Sequence, residues 1–316
     1  MEKSKKTIKV SDIFNRYGMI LILIGLLVVC SFLSNVFLTS GNLMNILRQV
    51  STNGIVSLGM MLVIITGGID LSVASVVACG SLLMAGLQTS NPIFIILVVV
   101  LFGVITGFVN GVFVARFGLQ AFIVTLGTMQ VFRGVGLTYS GGSYISGVNP
   151  ALKFIGQGKI FGMIPISGII FIILAIIIGI MLKYSKLGRY TYAIGGNETA
   201  SRLSGINTKK YKTLIYIICG VMAAISGIIM SAHLNVGEPN IATSIEMDAI
   251  AACVIGGTSL AGGKGSAMGT VIGVFIIGIF GNLLNLLNIP GYSQPIFKGA
   301  IIVGAALLQT FQEKRA

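Results

Sequence analysis

Hydrophobic runs of about twenty residues recur along this chain and constrain it more than any motif. Residues 17–38 contain no charged side chain, and 53–87 contain one, Asp70. Runs of that length match the span of a membrane helix, whereas barrel strands would alternate in polarity. Charged residues make up 9% of the 316, against about 25% in soluble domains, and mean hydropathy is +0.98. The fold class expected is all-α and polytopic. The 43 glycines suit close packing of membrane helices.

The run 17–38 is longer than a signal-peptide core and lacks a small-x-small cleavage site, so it reads as a first span after a basic tail, 1–16. Cys30, Cys79, Cys219 and Cys253 stand at unrelated spacings with one histidine, His233. Neither a metal site nor a disulfide framework is expected from that set.

Ten spans can be drawn, near 17–38, 45–66, 71–88, 92–114, 119–139, 164–183, 211–232, 246–260, 266–287 and 294–311. With both termini in the cytoplasm, 16 of the 21 Lys+Arg fall on the inside, including Arg116, Lys183, Lys186, Arg189, Arg202, Lys209, Lys210, Lys212 and Lys264. That bias obeys the positive-inside rule and makes the net charge of +13 a matter of topology and lipid headgroups, not of nucleic acid. The outer segments 140–163 and 233–247, the latter carrying Glu238 and Glu246, read as loops on which an extracytoplasmic partner could dock. No segment between spans is long enough to form a nucleotide-binding domain. GGTSLAGGKGS (256–266) imitates a phosphate loop, but Thr258 stands where its first glycine is required and Gly265 follows the lysine.

Two short segments carry more information. In NETASRLSGI (197–206), Asn197 can cap a short helix, Glu198 suits its first turn and can pair with Arg202, Ala200 and Leu203 form a small apolar patch, and Gly205 provides a stop. So short a helix is not stable alone in water. It is either a satisfied connector or a surface that docks a partner. In ITGGIDLSVA (65–74), Gly67 and Gly68 end one helix. Asp70 then caps the next through N–H groups near Ser72 and Val73, or else serves as an ion site within a broken span. A similar GG-x-x-L recurs at 256–260 through Gly256 and Gly257, which leaves an internal repeat open.

LGMMLVIITGGIDLSVASV (58–76), YAIGGNETASRLSGI (192–206) and DAIAACVIGGTSLAGGKGSAMGTVIGVFIIG (248–278) closely resemble the permease subunits of ribose-type ABC sugar importers, in the branched-chain amino acid/ribose permease superfamily. The resemblance implies an architecture like that of the vitamin B12 importers (type II) and a permease that works as a pair. It also implies a tandem-domain cytoplasmic ATPase that binds ATP and Mg, and an extracytoplasmic sugar-binding protein. On this resemblance 184–212 is the coupling loop, with Gly196, Asn197, Glu198, Ala200, Arg202, Leu203 and Gly205 meeting the ATPase. The chain itself is then expected to be a transporter subunit rather than an enzyme, with no cofactor of its own. A neutral sugar calls for uncharged polar groups along the pathway. Asn53, Ser57, Asn110, Thr125, Thr128, Gln130, Asn282 and Asn285 qualify by composition, each with helix-to-helix hydrogen bonding as the plainer role. An ion- or proton-coupled carrier built on Asp70 is the rival reading; a channel or a membrane enzyme has less behind it.

Overall fold

The computed structural model describes residues 10–315 and is helical almost throughout. The first helix, α1 (Val10–Leu33), starts before the residue at which the basic tail was expected to end; residues 1–9 of that tail lie outside the described residues. There follow α2 (Ser40–Ile65), α3 (Val73–Gly86), α4 (Pro92–Ala115), α5 (Ala121–Ser140), α6 (Lys153–Gln157) and α7 (Ile166–Tyr184). The second half holds α8 (Lys186–Gly196), α9 (Glu198–Leu203), α10 (Thr208–Leu234), α11 (Ile245–Ile255), α12 (Ala267–Leu286) and α13 (Gln294–Arg315).

Six of these helices, α2, α4, α5, α7, α10 and α12, are long and apolar enough to cross a membrane. The spans expected at 71–88 and 246–260 are shorter than drawn. At 1.5 Å per residue, α3 and α11 reach only about 21 and 17 Å, against a hydrocarbon core of about 30 Å. Helix α3 starts after the glycine turn at 67–70, and α11 stops at the glycine turn at 256–257, which its drawn span ran past. Helices α2 and α10 are largely buried at the centre, while α4, α5 and α7 expose most of their length.

The tightest packing is between α4 and α10, and it rests on glycine. Gly103, Gly107 and Gly111 recur at every fourth residue and so form one stripe along α4. A Cβ at Gly107 would stand 2.3 Å from the Tyr216 carbonyl oxygen, and one at Gly103 2.5 Å from that of Gly220. The opposite face carries Ile93, Leu97, Leu101, Ile105 and Phe108, all exposed. Lipid is as apolar as leucine, so helices associate in it through close contact, which small residues permit. Gly107→Ala is expected to lower stability by about 1–3 kcal/mol, because backbone rather than a movable side chain blocks the added methyl. Thermal unfolding in detergent checks this.

At one end of the bundle, two segments that the sequence leaves as separate loops are joined. A two-residue strand pairing sets Ile145 opposite Gly237 and Ser146 opposite Val236. The segment 140–163 also forms a small hairpin, Lys159–Ile160 with Ile164–Pro165, beside α6.

Near this end Lys298 of α13 and Asp248 of α11 form an ion pair, Nζ to Oδ2 at 2.7 Å. Removing one partner from a largely shielded pair strands the other charge. Lys298→Met is therefore expected to cost about 2–3 kcal/mol, and adding Asp248→Asn should restore part of it. Melting temperatures of the single and double variants measure the difference.

Candidate functional site: the turn and loop cluster at the opposite end

The other end gathers the motifs. Helix α2 stops at Ile65 in a glycine turn, where the Gly67 N–H donates to Ile64 O (2.8 Å) and the Gly68 N–H to Val63 O (3.1 Å). Helix α11 stops the same way, through Gly257 to Val254 O and Thr258 to Cys253 O, both 2.9 Å. Gly67 and Gly257 have φ of +78° and +79°, the left-handed conformation that glycine adopts at least cost. The two GG-x-x-L segments are thus built alike but one residue out of register: the positive φ falls on the first glycine of one and the second of the other. In that register Leu260 stands opposite Asp70, and residues 256–266 contain no acid.

These turns are in contact with α8. The Gly263 N–H donates to Ile65 O at 2.9 Å, and a Cβ at Gly195 would sit 1.7 Å from that same oxygen. The Tyr192 hydroxyl donates to Gly265 O at 2.8 Å, and burial pushes its pKa up. Helix α8 forms where the sequence suggests only loop, at 188–196. Its buried residues Gly188, Thr191 and Ile194 recur every third position, the signal that was available. Tyr192→Phe should cost about 0.5–1.5 kcal/mol, read as a lower unfolding midpoint.

Beyond α8 the chain turns into the segment 197–206. Its helix, α9, is six residues long. As expected, the Asn197 carboxamide oxygen caps it, accepting from the Ala200 N–H at 2.9 Å. Gly205, at φ +85°, closes it with bonds from Gly205 N to Arg202 O and from Ile206 N to Ser201 O, both 3.1 Å. The expected Glu198–Arg202 pair is not formed. Glu198 instead pairs with Lys212 at 2.8 Å, because the start of α10 folds back beside α9 and offers a closer amine than the next turn does. Gly196, Ala200 and Arg202 are exposed, and Leu203 is 81% exposed, a large apolar side chain left open on a small helix.

Asp70 lies just behind the first turn and is 1% exposed. One carboxylate oxygen, Oδ1, accepts from the Ser72 N–H (2.9 Å), the Ser72 hydroxyl (2.6 Å) and the Asn110 amide (3.3 Å). The Val73 N–H anticipated alongside Ser72 is not among its donors, since Ser72, in αR geometry, itself stands at the cap position of α3. Asn110 also donates to the Ser72 hydroxyl (2.8 Å) and accepts from Thr128 (2.8 Å), while the Thr125 hydroxyl approaches Ile69 O at 3.3 Å. The turn is thereby tied to α4 and α5. Among the described residues neither ion pair involves Asp70, and its geometry favours helix architecture over an ion site. The hydroxyl of Tyr216, buried without a hydrogen-bond partner, faces Gly68, where a Cβ would lie 2.5 Å from it.

The polar pathway candidates therefore separate. Asn110, Thr125 and Thr128 belong to the Asp70 network. Asn282 exchanges two amide bonds with Asn42 of α2 (3.0 and 2.8 Å), a pairing that one amide in a span does not predict. Ser57 bonds back to Asn53 O (2.7 Å) and Asn285 accepts from Gln294 (2.7 Å). Asn53 is half-buried and Gln130 exposed. No common lining collects them. Among the described residues no group of His, Cys, Asp and Glu could hold a metal.

Comparison with known proteins bears on this geometry. Residues 42–306 match the family described as the permease component of the branched-chain amino acid transport system. The chain is 40% identical to the ribose import permease protein of Bacillus subtilis (strain 168), over 98% of its own length and 97% of the relative's. It is 44% identical to the ribose import permease protein of Escherichia coli (strain K12), over 90% and 91%. It is 33% identical to the L-arabinose transport system permease protein of the same strain, over 98% and 95%. No solved structure matches the chain significantly.

Proposed function

The chain belongs to the family of membrane permease components of branched-chain amino acid-type transport systems, a transport component and not an enzyme, and we propose that it forms the translocation pathway of an ATP-driven monosaccharide importer. Ribose is the first sugar to test, because the relatives at 40% and 44% identity are ribose import permeases. In this reading the protein crosses the bacterial cytoplasmic membrane ten times, with α3 and α11 as short spans and both termini inside, in a type II arrangement. Two copies enclose the pathway. A tandem-domain ATPase binds ATP and Mg below, and a sugar-binding protein delivers substrate from outside, where the paired strands Ile145–Ser146 and Val236–Gly237 hold the outer loops together.

The observation that carries the proposal is α9 itself. It is capped, closed by glycine and pinned by Glu198–Lys212, yet it leaves Leu203 open. A helix so short gains stability only by lying against something. Force applied to it passes directly into the bundle, since the α8 backbone at Gly195 packs against Ile65 O and the Tyr192 hydroxyl of α8 donates to Gly265 O. Closure of two ATPase domains would bring two such loops together, shift α10 against α2 and α4, and reverse which side of the pathway is open. The test is purification with the tandem ATPase, followed by sugar uptake in vesicles supplied with ATP and the binding protein. Proton-driven uptake by the permease alone would overturn it.

A further inference from the structure

Arg116, Lys209 and Lys210, together with Asn207, line a cleft of about 420 Å³ where α4 ends and α10 begins. Among the described residues the two ion pairs are Glu198–Lys212 and Asp248–Lys298, so no acid among them neutralises any of the three cations. The nearest acid in sequence to Lys209 and Lys210, Glu198, is already held by Lys212. The Asn207 carboxamide oxygen accepts from the Lys210 N–H at 3.0 Å, which fixes the backbone at this corner. Directly after Arg116 in the chain the surface turns apolar. Phe113 and Phe117 stack with centroids 5.6 Å apart, and Phe117, Leu119, Phe122 and Ile123 are half-exposed or more. A cationic cleft whose arginine leads straight into an exposed apolar segment fits the boundary between headgroups and hydrocarbon.

We propose that this cleft binds the phosphate of an anionic phospholipid of the inner leaflet, with the acyl chains lying against Phe117, Leu119 and Phe122. Arg116 offers a planar fork to two phosphate oxygens, and Lys209 and Lys210 add point charges. Bound lipid would hold the first turn of α10, and so the Lys212 anchor of α9, in place. The inner-leaflet assignment rests on the orientation proposed above; the binding itself does not.

Each cation near an anionic leaflet strengthens binding roughly fivefold. The experiment compares full-length wild type with Arg116→Gln/Lys209→Gln/Lys210→Gln and with a control, Lys183→Gln/Lys186→Gln, whose cations also lie on this face but away from the cleft. Phosphatidylglycerol and phosphatidylcholine compete for retention, read by native mass spectrometry, with monodisperse elution in phosphatidylcholine as the folding check. Wild type and control should prefer phosphatidylglycerol, and the triple variant should lose at least about tenfold of that preference. If the triple variant does not fold, Arg116→Gln alone should lose about fivefold. Equal retention by the cleft variant overturns the proposal. So does equal thermal stabilisation by inorganic phosphate in phosphatidylcholine, which would mean a free-anion site. Unchanged retention with loss of the co-purifying ATPase would also overturn it, by assigning the cations to a protein interface. Sugar uptake is scored separately, so failure here leaves the importer reading standing.

Discussion

Leu203→Asp is expected to abolish co-purification of the ATPase and ATP-driven sugar uptake while leaving the permease folded. The side chain is 81% exposed, so aspartate there removes little packing within the chain, and the unfolding midpoint should stay within about 0.5 kcal/mol of wild type. Its cost falls on the complex. A leucine buried at an interface contributes about 1.5–3 kcal/mol, and a carboxylate forced into the same apolar site adds a desolvation penalty. Association should weaken roughly a hundredfold or more. Leu203→Met keeps the volume and should retain most of the coupling. Glu198→Lys works differently: it faces Lys212 with a like charge and releases the α9–α10 pin, so its effect should diminish in high salt. Unchanged uptake in Leu203→Asp would remove α9 from the drive train.

What the sequence revealed and what it hid follow from how local each feature is. The caps at Asn197 and Gly205 are set by residues three or four positions away, and both form as expected. The spans drawn at 92–114 and 211–232 fall within three residues of α4 and α10 at both ends for the same reason, as apolar runs bounded by polar turns. Helix α2, by contrast, stops beside the drawn 66 but starts five residues before the drawn 45. Contacts across the bundle were not visible. Nothing near Glu198 favours Lys212 over Arg202; only the fold-back of α10 does. Asn42 and Asn282 are 240 residues apart, and each alone is one more amide in a span. The stripe of Gly103, Gly107 and Gly111 lay in plain spacing but was submerged among 43 glycines. A shared face means little until the opposing backbone is known, and the 2.3 Å approach to Tyr216 O is a tertiary fact.

Asp70→Ala should destabilise the protein severely, and Asp70→Asn should not, which separates helix architecture from ion coupling. Alanine leaves the Ser72 N–H and hydroxyl and the Asn110 amide without their shared acceptor, in a site 1% exposed. Each unsatisfied buried donor costs about 1–3 kcal/mol; with some reorganisation of Asn110 toward the Ser72 hydroxyl, the sum should reach about 3–5 kcal/mol. Asparagine keeps an oxygen in the Oδ1 position. It loses the charge-assisted component of three bonds, about 1–2 kcal/mol in all, and its NH₂ group takes the place of Oδ2. A carboxylate that carried a proton through the transport cycle would be equally disabled by both changes, because neither amide nor methyl titrates. The decisive measurement is uptake driven by ATP in Asp70→Asn beside its thermal midpoint. Retained uptake with a modestly lowered midpoint assigns the carboxylate to the start of α3. Lost uptake at an unchanged midpoint would return it to the transport chemistry, because a purely structural acceptor cannot fail without the fold registering it.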